Sequence, residues 1–514
     1  MDFPGFLVQA IAVNLSIVQR SGDPHALCFL DQARYLRHHL GRLGIDCLLS
    51  KNRLYRDRLN VVFGAHKGFD PKLTQDFPCV IFNLEQTGRD GANLTEAYLD
   101  LLRALPSLDY DAANQSHYAS TQQGPIVRFL DAPYLRGATP APPLSQRPID
   151  LLFFGSINER RRRLIEQIEA AGCAVTMFDQ ALYGPERDAI IVQAKAVLNL
   201  HFYQSGRIEQ ARISHCLSLG TPVISERKLT AEVPVEFEDT VFWQPADSIA
   251  QFIRRCLTSP QFPSEAEAKI RRFHANDPLD SLRPLAAFLE RQWHAIIARR
   301  RDSPAAVASP RRMNLGCGND YLPGWINVDT RERFHPDVVL DLSNPIPLPL
   351  ALRSPTLGDV VLDCGGLEAI YARGEFVRAA DFAALMTNAL ELLEKGGILA
   401  IEVPYPLAGS GWQDPGQVRV LDEESFSQFT DSFWNMGWFA HRFAIARLEY
   451  LDPKMAPCPR EAAGFLRILL RKVATTAHER MRARVFGADF GPGLEGEVVT
   501  AAAIARAARL QEPA

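Results

Sequence analysis

The chain has 514 residues, too many for one hydrophobic core, so two to four domains are expected. Hydrophobic residues make up 47% and charged residues 23%, as in an ordinary soluble globular protein, and the net charge of −4 excludes a general electrostatic pull towards nucleic acid or an anionic membrane. The nine cysteines are scattered singly, Met1-Asp2-Phe3-Pro4 lacks the positive start of a secretory signal and no apolar run approaches the roughly 20 residues of a membrane span, so a metal-free cytoplasmic protein is expected.

Ala12 to Val18 alternates like a half-buried strand, and Leu27 to Leu43 carries apolar residues at helical spacing up to Gly44. Ile45 to Leu49 resumes a strand. Leu59 to Gly64 and Cys79 to Phe82 are two more, ending in His66-Lys67 and Asn83-Leu84-Glu85-Gln86. Strands that stop in polar loops mark the site edge of an α/β sheet. His66 is therefore a candidate base for deprotonating an acceptor hydroxyl, its imidazole titrating near neutral pH, and Glu85 is a second candidate. A structural role accounts for either residue equally well.

Thr95 to Leu105 reads as a helix stopped by Pro106, and Pro140-Ala141-Pro142-Pro143 marks a joint that closes a first domain at 1–145. A second α/β unit, 146–298, opens with the strand Ile149 to Phe154 and Gly155-Ser156, continues in a helix from Glu159 to Ala171, and adds strands at Val175 to Phe178, Ala196 to His201 and Pro222 to Ser225. Arg160 to Arg163 open that helix where backbone N–H groups and guanidinium forks would both meet an anion; Arg160 and Arg161 are the candidates. Glu209 and Arg212 stand one helical turn apart, the acid facing nucleotide hydroxyls and the base a diphosphate, or else forming a surface ion pair.

Two such units in tandem, carrying "VIFNLEQ", "FFGSINERR", "LNLHFYQSGRIEQARISHCLSLGTPVISE" and "VFW", resemble a bacterial GT-B-type glycosyltransferase family over about residues 12 to 295. The resemblance implies a tandem Rossmann-like pair, a nucleotide-sugar donor held by Gly155, Arg160, Arg161, Glu209, Arg212 and Glu226, and a sugar or glycan acceptor, often in surface-polysaccharide synthesis. Many GT-B enzymes have a glutamate five residues before the Gly-Thr-Pro turn, where this chain has His215.

Residues 299–310, small, charged and proline-bearing, read as a linker. Beyond it the apolar strand of Met313-Asn314-Leu315 runs into Gly316-Cys317-Gly318-Asn319, where a backbone closely approached by a cofactor tolerates no side chains. Trp325 to Asp329 is a second strand ending in a carboxylate suited to ribose hydroxyls. Only Asn319 to Gly324 separates the two, leaving no crossover helix to receive a pyrophosphate, so NAD and oxidoreductase chemistry are disfavoured. S-adenosyl-L-methionine, with no phosphate to cradle, fits better. Val338 to Leu342 and Asp359 to Asp363 are expected as third and fourth strands, and Lys395-Gly396-Gly397 leads into Ile398 to Pro404.

These residues resemble the class I S-adenosylmethionine-dependent methyltransferases over 311–473, in the branch carrying "NLGCGN…LPGWINVD…DL…LE…GG…IEVP". The expected cofactor residues are Asn314, Gly316, Cys317, Gly318, Asn319, Asp329, Asp341 and Leu342, with Cys317 selected for size rather than thiol chemistry. Relatives commonly show histidines in "LEH" and Asp-Pro-x-His words, which here read Leu367-Glu368-Ala369 and Asp414-Pro415-Gly416-Gln417. Asp363, Glu368 or Asp414 then acts as the base, or an amine acceptor needs none. Residues 474–514 are expected to form a partly helical tail. The leading expectation is a bifunctional glycosyltransferase and methyltransferase; the alternative keeps only the methyltransferase active, beside a GT-B-like binding module.

Overall fold

Runs of aliphatic residues bounded by polar turns become parallel strands through the first 244 residues of the chain. A computed structural model describes residues 11–20, 23–120, 122–178, 183–228, 231–301, 309–406 and 414–487, and the chain divides into two compact units, Met1–Ala305 and Ala306–Ala514. Among the described residues no helix is long and apolar enough to cross a membrane.

The first unit holds two parallel sheets. Strands β1 (Ala12–Ile17), β2 (Asp46–Lys51), β3 (Leu59–Phe63), β4 (Cys79–Asn83), β5 (Ser107–Asp109) and β6 (Gln123–Ile126) are ordered β2-β1-β3-β4-β5-β6. Strands β7 (Ile149–Phe153), β8 (Val175–Met177), β9 (Ala194–Asn199), β10 (Val223–Glu226) and β11 (Phe242–Gln244) are ordered β11-β10-β9-β7-β8. Both sheets are doubly wound in the same sense, so each has a crevice where its first and third strands diverge at their carboxyl ends. β3 and β4 are buried at every position, as strands covered on both faces must be. One continuous cluster of buried apolar residues runs through both sheets, from Val13 and Phe82 to Val197 and Phe237. The helix Pro278–Arg301 returns to pack on β3, β6 and the helix Leu30–Arg42, burying Leu285, Leu289 and Trp293.

Two local expectations change here. The helix expected from Leu27 begins as a separate 3-10 turn, Pro24–Phe29, because Asp23 accepts a hydrogen bond from the His25 amide and Pro24 sets its first position. Residues 299–301 of the expected linker belong to the helix Pro278–Arg301, while 302–308 lie outside the described residues.

In the second unit, β12 (Arg312–Leu315), β13 (Ile326–Asp329), β14 (Val338–Val339), β15 (Leu350–Ser354), β16 (Gly358–Leu362), β17 (Leu367–Arg373), β18 (Leu393–Pro404), β19 (His441–Leu451) and β20 (Phe465–Ala474) follow in order. The main sheet runs β14-β13-β12-β17-β18-β20-β19, parallel up to β18 and antiparallel thereafter. Its topological switch point lies between β12 and β17, where the Gly316–Gly318 turn leaves β12.

The third expected strand stops at Val339, because Asp341 folds the chain into a turn by accepting from the Ser343 amide at 2.8 Å and the Asn344 side chain at 2.9 Å. The fourth is corrected. Gly358–Leu362 pairs antiparallel with β15 in a separate hairpin, and the sheet position beside β12 belongs to β17, whose sequence Leu367-Glu368-Ala369-Ile370-Tyr371-Ala372-Arg373 mixes strand and helix formers.

Candidate functional site

In the first unit the carboxyl ends of strands from both sheets line a cleft of about 760 Å³. Arg161 is its structural centre. Asn158 caps the helix Glu159–Ala170 by accepting from the Arg161 amide, which aims the Arg161 side chain inward. The guanidinium donates to the carbonyls of Ser156 (2.8 Å) and Leu200 (2.5 Å) and to Glu209 Oε1 (2.8 Å), between the rings of Phe153 and Phe202. Burial pushes its pKa down to about 10, which leaves it cationic at neutral pH.

The other oxygen of Glu209 forms an ion pair with Arg212, 2.9 Å from its Nη2, and Arg212 Nη1 donates to Asn199 Oδ1 at 3.3 Å over the face of Phe154. Glu209 precedes the helix Gln210–Ser218 without capping it through its side chain; the carboxylate is divided between two arginines. Glu209 therefore orients the two cations, and it also lines the cleft. Gln210, Ala211 and Arg212 bring the positive end of that helix to the cleft wall. Gly155, at φ +127, also lines the cleft, and a Cβ there would stand 2.9 Å from Arg212 Nη2.

Arg160 and Glu226 lie apart from the cleft lining. They pair with each other, Arg160 Nη1 to Glu226 Oε2 at 2.9 Å, while Glu226 also accepts from the His201 amide and Arg160 donates to the His201 carbonyl. Neither lines the cleft, since successive helical residues project about 100° apart and the turn that points Arg161 inward points Arg160 towards the end of β10.

On the opposite wall Glu85 faces the cleft and His66 stands behind it, Nε2 3.6 Å from Oε1, with its ring against Phe29 and Tyr98. Burial, assisted by Lys67, lowers the His66 pKa to about 4, so the imidazole is neutral at physiological pH. Burial pushes the Glu85 carboxyl up. Of the two candidate bases, Glu85 is the one at the cleft surface. His215, near the cleft floor, sets Nε2 2.7 Å from both Asp188 Oδ1 and Arg187 Nη2, and Arg187 Nη1 reaches across to Asp31 at 2.7 Å. His215 is thus held in a cluster with Asp188, Arg187 and Asp31. Sequence reasoning did not single out Asp31, Lys67 or Arg187, which the fold brings to the lining of one cleft.

In the second unit the Gly316–Gly318 turn is fastened at both ends. Asn314 Nδ2 donates to the Asp320 carbonyl (2.8 Å) and Asn327 Oδ1 (3.0 Å), so this side chain braces the turn. The Gly318 amide donates to Asp329 Oδ2 at 2.9 Å. Gly316 and Gly318 adopt φ of +69 and +49. A Cβ on Gly316 would strike Glu375, 2.7 Å from its Cβ, whereas beside Gly318 nothing lies within 4 Å. Cys317 is buried and Asn319 exposed.

Asp329 is fully buried and accepts from the Arg331 amide and Nε, each at 2.9 Å. Burial alone would raise its pKa, but Arg331 and the Gly318 amide outweigh it and hold the carboxyl below its usual value. Glu375, just after β17, has its pKa raised by burial and by the Asp329 charge; the sequence signal that could have found it is Gly374-Glu375 closing a strand beside the Gly turn. Asp341 follows β14 on the same edge, and Leu342 is buried with its carbonyl accepting from Asn388. The cradle, with open space beside Gly318 and a buried carboxylate at the strand tip, fits a nucleoside with a short polar tail such as S-adenosylmethionine.

Asp414 accepts from Arg378 and from the Gly416 amide, which hold its carboxyl low. Asp363 and Glu368 lie away from the Gly turn. Arg312 aligns with Ala369 in the parallel register, so both acids sit at the amino end of β17, on the edge opposite the Gly turn, where Glu368 pairs with Arg311 and Arg312.

No family model matches the chain. Two uncharacterized proteins of Acanthamoeba polyphaga mimivirus are similar: L140, 25% identical over 118 residues, 23% of this chain and 39% of that protein, and L137, 24% identical over 222 residues, 39% of this chain and 29% of that protein. The chain thus spans well under half the length of these relatives. Among solved structures, AviGT4, a glycosyltransferase involved in avilamycin A biosynthesis, is 13% identical with a TM-score of 0.37, covering 56% of this chain and 98% of its own. An S-adenosylmethionine-dependent methyltransferase from Mesorhizobium loti is 16% identical with a TM-score of 0.21, covering 34% of this chain and 96% of its own. Similar structures therefore include glycosyltransferases and methyltransferases.

Proposed function

We propose that the chain is a bifunctional transferase: its first unit moves a sugar from a nucleoside-diphosphate donor to a sugar or glycan, and its second methylates a sugar or glycan with S-adenosylmethionine, in surface polysaccharide or glycoconjugate synthesis. The observation that carries the first half is the Arg161–Glu209–Arg212 clamp beside a helix N-terminus in one cleft, opposite Glu85. As the bond from the anomeric carbon to the diphosphate oxygen breaks, negative charge builds on the leaving group, and fixed guanidinium and helix dipoles stabilise it without reorganising. The acceptor oxygen forms the new bond and passes its proton to Glu85, whose raised pKa brings it nearer to working pH.

In the second unit the bound cofactor supplies an electrophilic methyl group. The Gly turn would admit it, Asp329 would hold its ribose hydroxyls, and Asp341 and Leu342 would flank its base. Arg378 keeps Asp414 anionic, so the carboxyl better suited to accept a proton from the acceptor is Glu375.

A second reading makes the first unit a glycan- or protein-binding module. His215, locked to Asp188 and Arg187 in place of a free carboxylate, favours it. Incubating the intact protein with a nucleotide-sugar panel and isotopically labelled S-adenosylmethionine, followed by mass spectrometry, separates the two. Bifunctional activity gives products bearing both a glycosyl increment and the label; products that carry only the label, across the panel, support the module.

A further inference from the structure

Behind the Glu85 wall lies a buried polar network that the chemistry above does not use. Asp109 ends β5 with no exposure to solvent, and its carboxylate accepts four hydrogen bonds: from Asn83 Nδ2 (2.7 Å), Tyr118 OH (2.9 Å), Asn114 Nδ2 (2.9 Å) and the Asp111 amide (3.0 Å). Each asparagine then holds one end of the cleft loop. Asn83 accepts from the Glu85 amide at 3.2 Å and donates to the Glu85 carbonyl at 2.9 Å. Asn114 accepts from the Thr87 amide at 2.9 Å, and Thr87 Oγ1 donates to the Asn114 carbonyl at 2.9 Å. Tyr98 OH completes Asn83 from the helix Glu96–Ala104.

We propose that Asp109 is the positioning residue for the acceptor wall, fixing Glu85 and Gln86 through Asn83 and Asn114; its link to turnover rests on the sugar-transfer reading. The donor pattern is the reason. Every group facing the carboxylate is an N–H or O–H, so both asparagine side chains are forced to turn their amide nitrogens to Asp109 and their oxygens to the loop amides. An amide or a protonated acid at 109 would set a donor against a donor and release one asparagine. The loop it holds also meets the second sheet's half of the cleft, where Arg207 Nη1 donates to the Thr87 carbonyl at 2.6 Å, the Ser205 amide to the Asp90 carbonyl at 2.9 Å, and Ser205 Oγ to Gln86. Asp109 therefore acts on the edge where acceptor and donor sides converge, while the Arg161–Arg212 clamp stands on the other sheet and does not depend on it.

The test is residue-resolved hydrogen exchange on the intact protein with Asp109→Asn, alongside kinetics. Protection of the Glu85 and Thr87 amides is expected to fall by about 10-fold or more, with the rest of the first sheet unchanged. The kcat for sugar transfer is expected to drop about 10- to 100-fold, while affinity for a nucleoside diphosphate stays within about 2-fold of wild type. Asn114→Ala, the second variant, is expected to expose the Thr87 amide while Glu85 stays protected, and it decides the matter if Asp109→Asn does not fold. Unchanged protection at these amides, loss of protection throughout the sheet, or equal loss of diphosphate affinity overturns the proposal. A wild-type protein that binds no nucleoside diphosphate would overturn the sugar-transfer reading instead, and the exchange measurement would still decide whether Asp109 holds the loop.

Discussion

Replacing Arg212 with alanine is expected to lower sugar transfer by about 10²- to 10³-fold and to weaken nucleoside-diphosphate binding in step, the size of effect seen when one preorganised donor to a developing anion is removed. Its neighbour cannot substitute. The Arg161 guanidinium is committed to two carbonyls and Glu209 and is sealed between two rings, whereas the Arg212 side chain retains 20% exposure to the cleft. Arg212→Lys keeps the charge but loses the fork that meets Glu209 and a phosphate together, so it should restore only part of the activity. Methyl transfer to a supplied glycosylated acceptor is expected to persist, because Asp329 and the Gly turn belong to the other unit. Calorimetry with a nucleoside diphosphate checks the first outcome, and labelled-methyl incorporation checks the second. A folded Arg212→Ala variant with wild-type diphosphate affinity would remove this residue from the site.

Asp329→Ala is expected to weaken S-adenosylmethionine binding by about 1.5–3 kcal/mol, roughly 10- to 100-fold, through loss of charge-assisted hydrogen bonds to the ribose. The carboxylate has two duties. It also ties down the Gly318 amide and Arg331, so its removal loosens the turn and leaves the Arg331 cation beside Glu375. Gly316→Ala provides the companion measurement. Its Cβ would press on Glu375 at a φ of +69, at an expected strain of about 1–3 kcal/mol, and cofactor affinity should fall without any change to Asp329. Unchanged calorimetric affinity in a folded Asp329→Ala variant would sink the ribose assignment.

Much of this architecture was legible from periodicity. Strands such as Leu59–Phe63 and Cys79–Asn83 are apolar but for one asparagine each because they are buried on both faces, and no other element type suits a run that short. The glycine turn was legible because Gly316 and Gly318 sit where the backbone requires positive φ directly after a strand. β17 was not, since a half-buried strand with Glu368, Tyr371 and Arg373 on it reads like a polar helix. The strand expected at Asp359 to Asp363 took its place in the sequence reading, while Asp363 and Glu368 stand at the amino end of β17.

Side-chain partners were beyond the reach of sequence spacing. Arg160 and Arg161 are adjacent and chemically identical, yet one is turned to Glu226 and the other to Glu209 by helical geometry alone. Glu209 and Arg212 do meet at the one-turn spacing that suggested them, but the ion pair includes Arg161, 48 residues upstream of Glu209, which no local pattern announces. Asp109 was invisible for the same reason: a short strand end acquires its role from Asn83, Asn114 and Tyr118 closing around it.

The central claim is that one chain holds a diphosphate site in its first unit and a methyl-donor site in its second. Calorimetric titration of the intact wild-type protein, first with a panel of nucleoside diphosphates and then with S-adenosylmethionine, tests it directly. One saturable diphosphate site and one saturable cofactor site per chain, the former weakened by Arg212→Ala but not by Asp329→Ala and the latter by Asp329→Ala but not by Arg212→Ala, is the predicted result. Absence of nucleoside-diphosphate binding at concentrations up to about 1 mM would contradict the account and leave the first unit a binding module.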